Sequence, residues 1–141
     1  MRKLGVVISD EREVSARPVG VFVVDDSAPF LRAVRPVIAA VPRFTLVGTA
    51  MSGEEALEAI EDRADVGLLL VDVHLPGISG IEVARRYRAR NGRAVIVLMS
   101  TSDLADLPRW YLEADVAGFL PKETLSTDAL TRLWEDAATR G

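Results

Sequence analysis

The 141-residue sequence contains no cysteine, which excludes disulfides, thiolate metal sites and cysteine nucleophiles and is compatible with a reducing compartment. Lysine is almost as scarce: Lys3 and Lys122 are its two occurrences, and Lys122 alone follows an apolar run. Long apolar stretches are also missing. The uninterrupted aliphatic runs are a few residues each, far below the roughly 20 needed to cross a bilayer. At the N-terminus, "MRKLGVVISDE" has too short an apolar core for a secretory signal and runs straight into acids. Low-complexity tracts and internal repeats are absent as well. The 17 Lys and Arg, set against 21 Asp and Glu for a net charge of −4, are scattered instead of forming a stripe. Direct nucleic-acid binding by this chain is therefore not expected. The expectation is a cytoplasmic chain without membrane association.

What is present is an ordinary globular composition, 49% hydrophobic and 27% charged, at a length that suits one domain. Five short apolar runs alternate with longer segments of helical pattern: residues 19–25 (VGVFVVD), 44–50 (FTLVGTA), 66–72 (VGLLLVD), 94–100 (AVIVLMS) and 117–121 (AGFLP). That alternation predicts an α/β fold, a doubly wound five-stranded parallel sheet with helices on both faces. The third and fourth runs lack polar alternation, as strands covered on both sides do. Ser52 with Glu55 and Ser79 with Glu82 each read as a capping box, predicting helices over about 53–64 and 80–90. A first helix over about 29–41 carries Pro36 in its interior, which predicts a kink or an early break. Pro108 raises the same difficulty for a fourth helix, and Ser126 should cap a last helix over about 127–139. Residues 1–16 fit no element and are expected to be a poorly ordered leader to a domain spanning 17–141.

In an open parallel sheet, ligands bind beyond the carboxyl ends of the strands. Here those ends carry Asp25 and Asp26, Asp72, Ser100 and, just past the fifth, Lys122. Three converging carboxylates repel one another unless they are protonated or neutralised by a cation. Mg2+ suits the set, since it takes oxygen ligands and is usually held by one or two carboxylates plus phosphate oxygens. A hydroxyl and a compact ammonium beside it suit the remaining oxygens of a phosphoryl group. A carboxylate can itself accept that group as a nucleophile, and the central one is Asp72. "VISDE" repeats the outline of apolar run and acids, but lacks a following helix in register and leaves the later spacing too long.

The acidic pair "DD" after the first strand, "VDVHLPGISG" (71–80) after the third, a hydroxyl ending the fourth and "GFLPK" (118–122) at the fifth together resemble a response-regulator receiver domain of two-component signalling. The resemblance covers roughly residues 18–140 and implies a flavodoxin-like topology. It implies Asp72 as phosphoacceptor, Asp26 as a direct Mg2+ ligand, Asp25 as a ligand mostly through water, and the backbone carbonyl of His74 as a third ligand, its imidazole incidental. Ser100 and Lys122 would hold the phosphoryl oxygens, and Ser100, Thr101 and Phe119 would form the switch. A sensor histidine kinase would donate the phosphoryl group, with turnover limited to self-phosphorylation and autodephosphorylation. The face of the fourth helix, fifth strand and last helix would then be read out, including by pairing of two copies.

Thr101 stands where relatives often have alanine, Asp115 where many have glycine, and Glu123 where proline is common. Residues 41–57 most resemble receivers that carry a helix-turn-helix effector for DNA, so an absent effector would make the output transcriptional. A stand-alone receiver and a piece of a longer protein both remain open. Two other functions stay on the table: a receiver-like interaction module that is never phosphorylated, and a Mg2+-dependent phosphatase. The latter typically needs an acid two residues after the nucleophile, where this chain has His74. Trp110 and Trp134 read as packing residues.

Overall fold

Side chains of successive strand residues point to opposite faces, so a strand whose residues are all apolar feeds two cores at once. The computed structural model, which describes residues 17–101 and 115–140, is built on that rule. Its strands β1 (Val19–Val24), β2 (Phe44–Ala50), β3 (Leu68–Asp72), β4 (Val95–Ser100) and β5 (Gly118–Pro121) form one parallel sheet in the order β2-β1-β3-β4-β5. On one face Phe22, Val24, Leu69, Val71, Ile96 and Leu98 pack against helices α2 (Gly53–Ile60) and α3 (Gly80–Ala89). On the other, Val21, Val23, Leu68, Leu70, Val97 and Met99 pack against α1 (Ala28–Ala39) and the C-terminal helix (Thr127–Arg140). The expected doubly wound, flavodoxin-like fold is what forms.

The strand runs read from sequence agree with the observed strands to within two residues at either end. The helices differ more. Pro36 does not break α1, which continues to Ala39 and closes with the Ala40 N–H donating to the Pro36 carbonyl at 3.0 Å. Arg32 and Pro36 both lie on the exposed side of the helix, so the carbonyl that loses its partner can turn to water. Helix α2 stops at Ile60, short of the expected residue 64, where the chain turns through Asp62 at φ 62°.

The capping boxes form only in part. Ser52 and Ser79 do accept N–H bonds, from Glu55 at 3.1 Å and from Glu82 at 3.2 Å. Glu55, however, returns to the Met51 N–H, one residue before the cap. Glu82 pairs instead with Arg86 one turn on, at 2.9 Å. Ser126 caps the C-terminal helix through the Ala129 N–H at 3.0 Å, as expected. The expectations for residues 1–16 and for the helix around Pro108 and Trp110 lie outside the described residues. No helix among those described is long and apolar enough to cross a membrane.

Candidate functional site

Strand pairing alone puts two acids side by side. Val24 of β1 is in register with Val71 of β3, so the next residues, Asp25 and Asp72, emerge together at the carboxyl rim of neighbouring strands. Asp25 is fully buried and Asp72 is 5% exposed, whereas Asp26 faces solvent. One ligand oxygen from each of Asp25, Asp26 and Asp72 lies within 4.8 Å of the others. Past β5, Lys122 reaches back to straddle the two buried acids, with Nζ 2.5 Å from Asp25 Oδ2 and 3.2 Å from Asp72 Oδ2.

Local structure fixes the two buried carboxylates. Asp25 Oδ1 accepts the Ser27 N–H at 2.8 Å, and Ser27 in turn caps α1 by accepting the Phe30 N–H at 3.2 Å. Asp72 Oδ1 accepts the His74 N–H at 3.1 Å. The loop carrying His74 turns through Gly77 at φ 74° and is tied to α2, the Ile78 N–H donating to Glu54 Oε2 at 3.3 Å. Gly80, which opens α3, lies so close to β3 that a Cβ there would sit 2.1 Å from the Asp72 carbonyl oxygen.

Burial pushes the Asp72 carboxyl above the usual carboxylate range. The His74 N–H and the Lys122 charge oppose that push, the Asp25 charge adds to it, and the net shift is upward. For Lys122, burial works against the ammonium, but contact with Asp25 and the charges of Asp72 and Asp25 outweigh it and hold its pKa above the ordinary lysine value. Three carboxylates thus converge where one ammonium contacts two of them. Their donor set is entirely oxygen and leaves excess negative charge, which fits a hard divalent cation such as Mg2+.

The other expected site residues fall at different distances from this cluster. Ser100 ends β4 fully buried, one residue beyond Met99, the partner in register of Asp72. Thr101 follows it and is exposed. Phe119 pairs in register with Leu98 and packs half-buried against the core on the α2 and α3 side, on the strand beside Ser100. His74 exposes its side chain, so its backbone is the part engaged at Asp72. Sequence reasoning assigned no role to Phe30, although it lies in the same short stretch as the acidic pair. The Lys122 Nζ sits 4.6 Å from its ring centroid.

Comparison with known proteins gives a consistent result. The family model for the response regulator receiver domain matches residues 21–133. The nitrate/nitrite response regulator protein NarL of Escherichia coli strain K12 is 30% identical over 121 residues, covering 86% of this chain and 56% of NarL. The chain therefore spans about half the length of that relative. The signal receiver domain of the response regulator NarL from Mycobacterium tuberculosis superposes with a TM-score of 0.77 at 28% identity, covering 86% of this chain and 98% of that one. CheY6 of R. sphaeroides, solved in complex with the P1 domain of CheA3, gives a TM-score of 0.70 at 27% identity, covering 84% of this chain and 95% of the matched chain.

Proposed function

The chain belongs to the response regulator receiver domain family of two-component signalling, and from that premise we propose that Asp72 accepts a phosphoryl group from a sensor histidine kinase. The observation that carries this reading is the convergence of Asp25, Asp26 and Asp72 with Lys122 on one rim of the sheet. An Asp72 carboxylate oxygen attacks the phosphorus, the new bond to Asp72 forms, and the bond to the donor breaks. Lys122 already touches Asp25 and Asp72 and is placed to follow the charge onto the incoming phosphoryl oxygens. Ser100, buried at the end of β4, would donate its hydroxyl to another of those oxygens.

Asp25, Asp26, Asp72 and the His74 carbonyl are the groups that would hold Mg2+, which would offset part of the negative charge of the carboxylates and of the arriving phosphate. Ser100, Thr101 and Phe119 would carry the change to β5 and the C-terminal helix, the face through which a partner or a second copy reads the state. We assign this activity to the cytoplasm. The E. coli relative is a nitrate/nitrite response regulator, and a transcriptional output of a longer protein containing this domain is part of the same proposal.

The test is incubation with Mg2+ and a small acyl phosphodonor, followed by intact mass. Wild type should gain one phosphoryl group. Asp72→Asn, and wild type with the metal chelated, should gain none. Equal labelling of Asp72→Asn would overturn the assignment.

A further inference from the structure

A lysine side chain has four methylenes between its ammonium and the backbone, and a charge alone does not choose which of several nearby acids it meets. Lys122 nevertheless sits with only 14% of its side chain exposed, between Asp25 and Asp72. Among the described residues its ammonium also lies over the face of Phe30, 4.6 Å from the ring centroid. At that separation an ammonium is attracted to the negative face of the ring, the more so where water is scarce.

Phe30 is itself well fixed. It lies in the first turn of α1, its N–H donates to the Ser27 cap at 3.2 Å, and its side chain packs half-buried against the core cluster that contains Leu31 and Val34. The same Ser27 donates its own N–H to Asp25 Oδ1 at 2.8 Å, so a single turn sets both Asp25 and the ring.

Building on the proposed phosphoacceptor site, we propose that Phe30 is a positioning residue for Lys122: its ring holds the ammonium over the two buried carboxylates, ready to meet the arriving phosphoryl oxygens. A packing residue would need only apolar volume at this point. A positioning residue needs an aromatic face and acts through Lys122, and that difference can be measured.

The experiment compares phosphorylation rates of the full chain, with saturating Mg2+ and a small acyl phosphodonor, for wild type, F30L, F30Y, K122A and F30L/K122A. Phe30→Met runs in parallel, so that if one ringless replacement fails to fold the other decides. Removing the ring should slow labelling about tenfold, a barrier change of about 1.4 kcal/mol. The Mg2+ dissociation constant, followed by thermal shift, should change less than about twofold. F30Y, which keeps the ring, should label at close to the wild-type rate, and F30L should have no further effect in the K122A background. The proposal is overturned if the ringless variants label like wild type, if F30Y is as slow as F30L, or if F30L slows K122A by the same factor. Wild type that takes up no phosphoryl group would overturn the phosphoacceptor reading as well, whereas a labelled wild type with an unaffected F30L would overturn only the role of Phe30.

Discussion

Lys122 is the single residue on which the electrostatics of the site turn. It pairs with Asp25 at 2.5 Å and with Asp72 at 3.2 Å, both nearly free of solvent. Removing one member of such a cluster leaves charge buried without a partner. K122A should accordingly lower the stability of the metal-free protein by about 3 kcal/mol in chemical denaturation, and Mg2+ should restore much of the loss. Asp72 carries the opposite liability. Because the fold raises its pKa, the folded state favours the protonated carboxyl, so this contribution is full below the usual carboxylate pKa and is lost as pH rises through the raised value. Asp72→Asn should therefore raise the melting temperature of the metal-free protein at neutral pH, by about 4 °C if about 1 kcal/mol is recovered. It should also flatten the decline in stability between acid and neutral pH. The acids and Lys122 were legible because each directly follows an apolar run, which the sheet topology brings to one rim. Phe30 was not, because a ring meeting an ammonium from the far end of the chain leaves no local pattern.

At the scale of elements, the strands read well since an uninterrupted apolar run of strand length allows few alternatives. Helix ends and interiors read less well, because what decides them is which side meets water. Pro36 is the instructive case: the cost assigned to an interior proline falls when the orphaned carbonyl of Arg32 lies on the solvent side. P36A should still restore one intrahelical bond and raise stability by about 1 kcal/mol, measured by denaturant unfolding. Where α3 begins, Gly80 is required by proximity instead of by backbone freedom. A Cβ 2.1 Å from the Asp72 carbonyl oxygen would push α3 off β3 at the residue that bears the site. G80A should cost about 2 kcal/mol and slow phosphorylation, which separates it from a surface substitution that leaves the rate unchanged.

Across the whole molecule, the two apolar layers fix the sheet, and the sheet fixes the rim where the acids converge. The site is thus the part of the domain where folding accepts an electrostatic cost that a bound cation can offset. Mg2+ at about 100 times its dissociation constant should stabilise the protein by about 2.7 kcal/mol, with a smaller gain in Asp72→Asn. The proposed phosphoacceptor is Asp72 and no other carboxylate. Borohydride trapping locates the acceptor, since an acyl phosphate is reduced where a free carboxylate is not. After phosphorylation in Mg2+, reduction and peptide mapping should find the carboxyl of Asp72 alone converted to the alcohol. Trapping at Asp25, Asp26 or any other acid, with Asp72 unmodified, would overturn the assignment of Asp72 as acceptor.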